Sequence, residues 1–259
     1  MKLIQGYDKY VAKIENLFKN VVLKILLSQS QAIKASFLKI INEKKVKDDG
    51  MSSDEADKQS KSLVDKIFKV IESTVAFKAI MSQLLPLWLN AAETGNEFFN
   101  IIQFTKPEDG TLFSVIRDDY TTWLDTYGTD MITSVTQTTK DITREIIKDG
   151  LINGDSINTI ADNLVSKIDE YSKRRAVTIA ETETHNSFMK GNFMSANASG
   201  FKNKTWITAG DGQVRDTHKA LNNKTVKIDK DFKPSLGYPG DSRAPAKETI
   251  KCRCILMYS

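Results

Sequence analysis

The residue types able to do chemistry gather in the last sixty residues of this chain. The run Trp206–Ile207–Thr208–Ala209–Gly210–Asp211–Gly212–Gln213–Val214–Arg215–Asp216–Thr217–His218 is followed by Tyr238–Pro239–Gly240–Asp241 and then by Cys252–Arg253–Cys254. Those two thiols are the only cysteines, and His218 is one of 2 histidines. On a tight turn or bulge, thiols at i and i+2 can reach a single ion. Two sulfurs need further ligands to complete a tetrahedron: His218 offers a nitrogen and Asp211 or Asp216 an oxygen, a Cys₂-His-Asp set suited to zinc. A plainer arrangement is open to the same residues, with reduced, partly buried thiols and His218 bonded to a loop carbonyl. Four protein ligands would leave no position for water, so a metal here is expected to be structural. The His-x-Glu and Pro-Cys-x-x-Cys pattern of zinc deaminases is missing.

Arg215 could contact phosphate or pair within the module with Asp211 or Asp241. His185 lies in Thr182–Glu183–Thr184–His185–Asn186, two residues from Glu183. Helix neighbours at that spacing do not share a face, so no catalytic pair is assigned. The chain has no Gly-x-x-x-x-Gly-Lys-Ser/Thr, no Gly-x-Ser-x-Gly and no His-Glu-x-x-His. Residues 200–259 hold 12 Lys/Arg and 6 Asp/Glu, against 25 and 27 in the rest of the chain. This asymmetry fits either a surface facing nucleic acid or a basic solvated face. Lys202, Lys204, Arg215, Lys219, Lys224, Arg243 and Arg253 are the candidates for contact with nucleic acid or a partner.

These residues need a scaffold, and the 259-residue chain has the material for one, with 40% hydrophobic and 27% charged residues. That composition excludes collagen-like and wholly disordered chains. The most apolar windows, Val21–Leu27 and Leu84–Ala92, fall short of a bilayer span, and Met1–Lys2–Leu3–Ile4 leads into charged helical sequence rather than a secretory signal. Cysteines one residue apart cannot staple a long loop, which points to a reducing compartment or to metal binding.

Ile4, Tyr7, Val11, Ile14, Phe18, Val21 and Ile25 form one helical stripe, which shifts to Leu26, Ile33, Phe37 and Ile40 before the polar run 42–50. Ser52–Ser53–Asp54–Glu55 offers N-caps for a helix that reaches Pro86, where it must kink or restart. Further helices are predicted over 87–104, 112–126 and 130–148, with a loop at 106–110 and Gly150 closing the last of them. A short helix follows from Ile157 to Ile168 and a longer one from about Ser172. The small, polar stretch 192–200 implies close helix packing or a frayed end. Beyond Phe201, the β-branched or aromatic segments 204–209, 225–228 and 255–258 alternate with turn formers. The predicted fold is α+β: an elongated helical arm over 1–150, a helical lead-in over 151–200 and a small β-rich module over 201–259.

The order of residues in the second half resembles the phage Mu F-like minor head proteins, also called phage head morphogenesis proteins. The likeness runs through Gly154–Asp155–Ser156–Ile157, Ala176, Ile179–Ala180, Thr182–Glu183, Gly200, Trp206, Asp211, Val214–Arg215, His218, Pro239–Gly240, Ala244–Pro245, Glu248 and Cys252–Arg253–Cys254. Where that family has Ala-Arg-Thr-Glu, this chain has Ala180–Glu181–Thr182–Glu183. The resemblance implies a non-enzymatic minor structural protein of a tailed-phage capsid, located near the portal vertex of the virion after assembly in the host cytoplasm. Its expected partners are the portal protein, the major capsid or other virion proteins and packaged double-stranded DNA, with no membrane. Its expected roles are head morphogenesis and DNA packaging or ejection. Two other readings of the residues are a metal-dependent nuclease or toxin-like hydrolase using Asp211, His218 and the thiols, and a cellular DNA-binding adaptor. The second lacks helix-turn-helix and zinc-finger spacing.

Overall fold

The computed structural model describes residues 2–42, 50–71, 74–103 and 111–259, with side chains from residue 6 onward except those of 74–77 and 111–112. Five helices precede the C-terminal module: α1 Lys2–Asn42, α2 Ser53–Ile71, α3 Thr74–Gln103, α4 Thr111–Asn153 and α5 Ile157–Ala198. The module follows as β1 Asn203–Ile207, α6 Asp216–Lys219, β2 Thr225–Lys227, α7 Ala246–Thr249 and β3 Ile255–Tyr258. The α+β class and the three strand positions thus agree with the sequence reading. The strands form one antiparallel sheet in the order β2-β1-β3. Its register sets Trp206 opposite Leu256 and Thr205 opposite both Thr225 and Met257.

Helix boundaries differ from the expectation wherever tertiary contacts outweigh local breakers. Pro86 lies inside α3, where its lost hydrogen bond, a cost of about 3 kcal/mol, is set against burial of Leu84, Trp88, Ala91 and Ala92. The helix that was expected to reach Pro86 is described as α2 to Ile71 and α3 from Thr74, with 72–73 outside the described residues. α4 is continuous through 126–130; within it Tyr127 stacks on Trp123 at 4.5 Å and donates to Glu183. α5 runs through Ser172 without a restart, and the buried Ser172 hydroxyl bonds to the Ile168 carbonyl of its own helix. Gly150 lies within α4, and the chain turns at Gly154, whose N–H bonds the Leu151 carbonyl while that of Asp155 bonds Gly150. Ser52 does cap α2, in a reciprocal box with Glu55. The predicted loop at 106–110 lies outside the described residues, as do 43–49 of the polar run after α1.

Along α1 the buried residues are Tyr7, Val11, Ile14, Phe18, Val22, Ile25, Leu26, Ile33, Phe37 and Ile41. Val22 and Ile41 replace the expected Val21 and Ile40, the drift that a 3.6-residue helix makes against a seven-residue repeat. The segment Gly6–Asn42 is long and apolar enough, by length and composition alone, to cross a membrane, contrary to the short windows read from the sequence. Its buried residues instead enter protein cores.

The chain forms two units, each discontinuous in sequence. Unit 2 comprises Val21–Gln83 and Gly128–Ala176. Its core joins Ile33, Phe37 and Ile41 to Leu63, Ile67, Phe68, Ile147, Leu164 and Ile168. Around that core Arg144 forks onto Asp57 at 2.8 Å, Lys34 meets Asp162 at 2.7 Å and Ser30 donates to Asp169 at 2.6 Å.

Unit 1 comprises Met1–Asn20, Leu84–Tyr127 and Val177–Ser259. Here the β-rich module shares one core with helices: Trp206, Leu236, Tyr238 and Tyr258 pack with Tyr7, Phe98, Phe99 and Phe188. Six successive polar residues of α5, Thr182 to Ser187, are buried. Glu183 accepts from Trp88 Nε1 at 3.0 Å and from Tyr127 Oη at 2.9 Å. His185 Nδ1 lies 2.8 Å from Tyr7 Oη, and Ser187 bonds Tyr120. One turn further on, α3 and α5 touch through backbone. A Cβ at Gly191 would sit 2.2 Å from the Ala92 carbonyl oxygen, and one at Gly95 would sit 2.0 Å from that of Phe188. Asn192 donates to the Gly95 carbonyl and Ser195 to Asn96 Oδ1. The small, polar stretch therefore marks close packing, and no fraying is seen before Ala198.

Two predictions follow from unit 1. Gly191→Ala should destabilise the protein by about 1–3 kcal/mol or more, read as a fall in the urea midpoint. Gly212→Ala, with open space at its Cβ, should leave the midpoint unchanged. The second concerns pH. Burial raises the Glu183 carboxyl to about 7 and lowers the His185 imidazole to about 3. Burial, with Glu181 and Asp8 nearby, also raises Glu15 to about 7. For the two glutamates the folded state binds more protons than the unfolded one, so their contribution is lost as pH rises from about 4.5 through 7. For His185 the unfolded state binds more protons, so its contribution is lost as pH falls from about 6.5 towards 3. The two effects oppose each other between pH 4.5 and 6.5, each by at most about 1.4 kcal/mol per pH unit per group. With two glutamates against one histidine the urea midpoint should fall with pH over that interval, and Glu183→Gln should make its slope less negative, close to flat; an unaltered slope would contradict the assignment.

Candidate metal centre

His218 stands on the one-turn helix α6, where its N–H bonds the Arg215 carbonyl. Cys252 and Cys254 lie in the segment just before β3, after Lys251 has turned at φ 53° with its N–H bonded to Thr182 Oγ1. Both thiols are buried while Arg253 between them is exposed. Alternate residues of an extended segment share a face, so the two sulfurs meet on one side of the segment.

The three side chains converge. His218 Nδ1 lies 3.5 Å from Cys254 Sγ and 3.7 Å from Cys252 Sγ, and the donor atoms of the three residues all fall within 4.8 Å of one another. Zinc bonds of about 2.3 Å to sulfur and 2.0–2.1 Å to nitrogen at a tetrahedral angle place S and N about 3.6 Å apart. The observed spacing fits that figure. One ring nitrogen cannot point a single hydrogen straight at two sulfurs, whereas one ion can accept all three donors.

The other ring nitrogen, Nε2, lies 2.9 Å from Glu248 Oε2, and that oxygen also accepts from Thr217 Oγ1 at 3.0 Å. Both ring nitrogens thus have partners other than the loop carbonyl of the plainer arrangement. A carboxylate behind the ring is the usual device for fixing the orientation and tautomer of a ligating histidine. Glu248 appeared in the sequence only as one residue of an ordered likeness, with no role attached. Trp206 closes the site from the sheet, its ring 5.0 Å from the imidazole in an edge-to-face pair. The Cys254 thiol is held below its ordinary range by the hydrogen bond from Cys252, then by His218 and the Trp206 indole, against the cost of burial. Cys252 is pushed up by its bond to Cys254 and by burial.

Asp211 does not join this group. Its Oδ2 accepts from Arg253 Nη1 at 3.0 Å and its Oδ1 from the Gln213 N–H at 3.0 Å. Asp216 is exposed and pairs with Lys219 at 2.9 Å. Both carboxylates are drawn off by cations or backbone donors that residue spacing does not reveal.

The basic candidates separate similarly. Lys204 is buried, not presented to a partner: its ammonium lies 4.7 Å from the centre of the Phe193 ring and 5.6 Å from that of Phe232. Burial lowers it to about 8. Arg215 bonds the carbonyls of Glu248 and Ile250, and neither Asp211 nor Asp241 is its partner. Arg243 pairs with Asp231 and Asp241, and Arg253 with Asp8 and Asp211. Lys202 and Lys224 are exposed, as is Lys227 on β2, which the sequence reading passed over. Glu181, at the position of the family's arginine, pairs with Lys251 at 3.0 Å.

Comparison with known proteins agrees with the ordered likeness. Residues 140–257 match the family described as Phage Mu protein F like protein. The chain is 32% identical over 120 residues to the minor head protein GP7 of Bacillus phage SPP1, an alignment covering 43% of this chain and 38% of that protein. No solved structure matches. The segment that carries His218, Glu248, Cys252 and Cys254 thus lies within the segment that is similar to the phage Mu F-like proteins and to that minor head protein.

Proposed function

We propose that this chain is a non-enzymatic minor structural protein of the phage head that associates with the portal and acts in head morphogenesis and in DNA packaging or ejection. The observation that carries this reading is the family match over 140–257 together with a relative whose name is minor head protein. Association with the portal vertex and with other shell proteins extends that reading to partners. Contact with packaged DNA is supported by the 12 Lys/Arg of residues 200–259, but with fewer free cations than the sequence offered. Lys202, Lys224 and Lys227, all on or beside the β1–β2 ribbon, are the exposed set suited to sequence-independent phosphate contacts.

The same proposal assigns His218, Cys252 and Cys254 to one zinc ion with a structural task. Metal-dependent hydrolysis needs a free carboxylate or imidazole as base. Here Asp211 is engaged by Arg253, and Glu248 is engaged by Thr217 and the imidazole, which favours bracing over turnover.

Co-expression of the full chain with the phage's portal and shell proteins tests the partner assignment. The chain should co-purify with the portal ring, and its recovery free of every head protein would overturn the reading. DNA contact is tested by titrating salt against a duplex of arbitrary sequence. Affinity should fall steeply with salt, and replacing Lys202, Lys224 and Lys227 together by Glu should flatten the log–log slope by about 1 per residue. A flat titration of the unaltered chain would remove the DNA clause and leave the portal clause standing.

A further inference from the structure

Zinc in proteins is almost always four-coordinate, and among the described residues the cluster that could hold it has three members, His218, Cys252 and Cys254. We infer that the fourth position is filled from outside the chain, by a water that a small anion can displace. This inference rests on the zinc assignment made above.

Three observations lead to it. The nearby carboxylates are committed elsewhere: Asp211 to Arg253 and the Gln213 N–H, Asp216 to Lys219, and Glu248 to Thr217 and the far side of the imidazole. A cavity of about 20 Å³ adjoins two of the ligands and is lined by His218 and Cys254 together with Asp211, Arg215 and Arg253. One water needs roughly 10–15 Å³ of such space and two to four polar partners, and the cavity supplies both. Arg215, bonded to the neutral carbonyls of Glu248 and Ile250, gives that space a positive bias, whereas Arg253 is offset by Asp8 and Asp211. A zinc ion with two thiolates and a neutral imidazole carries no net charge, so an anion in the fourth position is favoured by the Arg215 guanidinium rather than opposed by the site.

The centre is therefore a braced site with one exchangeable position, in contrast to the closed four-ligand set expected from the sequence. The groups around the donors are already ordered, with Glu248 behind the imidazole and the Trp206 ring edge-to-face with it. Exchange at the fourth position then needs no rearrangement of the three protein donors.

Cobalt(II) substitution of the full-length protein tests this. The cobalt form should show thiolate charge-transfer absorption and tetrahedral visible bands, and azide should shift the visible bands saturably. Asp211→Asn should leave the resting spectrum unchanged and, by removing the negative charge beside Arg253 in the cavity, should tighten azide binding. Visible bands indifferent to azide, or a resting spectrum altered by Asp211→Asn, would overturn the exchangeable position, because either result places a protein ligand there. The zinc assignment fails separately: purified protein with no zinc by elemental analysis, and no charge-transfer absorption on cobalt addition, would sink it. Because loss of folding in Cys252→Ser or Cys254→Ser would mask loss of metal, His218→Cys serves as the second variant. It should retain metal and intensify the thiolate band; an unchanged band in the folded, metal-loaded variant would remove His218 from the site.

Discussion

One imidazole nitrogen placed between two buried sulfurs is the contact around which the C-terminal module is organised. The sheet that carries it is small, with strands of five, three and four residues. Such a sheet buries little by itself, and a module of this size gains disproportionately from a single cross-link between distant segments. His218 comes from α6, Cys252 and Cys254 from the approach to β3, and Trp206 from β1, so three separate segments of the module meet at this point. With an ion present, the binding free energy would add directly to folding free energy. Without one, the same atoms must rely on weak sulfur hydrogen bonds in a buried setting.

The second constraint is the polar stripe of α5. Burial of Thr182 to Ser187 is tolerable where side chains find partners, and five of the six do so in other segments of unit 1, the exception being Thr184, whose buried hydroxyl has no hydrogen-bond partner among the described residues. Trp88 and Tyr127 answer Glu183, Tyr7 answers His185, and Tyr120 answers Ser187. Thr182 reaches the Lys251 N–H one residue before Cys252. Beyond the stripe, Gly95 and Gly191 let α3 and α5 approach to backbone contact. Satisfying these groups together fixes the register of the helices against α5, and it also fixes the loop that presents the first cysteine. The family segment over 140–257 therefore contains both the donors of the centre and the helix that positions them.

Much of this was legible in the sequence because the signals were periodic or rare in type. The three strands stood out as β-branched segments among turn formers, the stripe of α1 followed a helical spacing, and two cysteines with one nearby histidine could be joined by chemistry alone. What escaped notice depended on partners distant in the chain. Pro86 and the 126–130 stretch read as breaks because their local cost is visible and their compensation by buried Trp88 and by the Tyr127–Glu183 bond is not. Asp211 seemed a ligand until Arg253, 42 residues later, was seen to hold it. Lys204 seemed a surface cation, yet alternation along β1 turns it inward onto Phe193 and Phe232. Glu248 could have been found as the only acidic residue between His218 and the thiols that the ordered likeness retained after Asp211. Its meaning came only from its 2.9 Å approach to the imidazole.

X-ray absorption at the zinc edge of the purified full-length protein reads the coordination shell itself. The account predicts two sulfur scatterers at about 2.3 Å and two lighter ones, nitrogen and oxygen, at about 2.0–2.1 Å. A shell of light atoms alone, or no edge at all, would contradict it and return the convergence of His218, Cys252 and Cys254 to a packing contact.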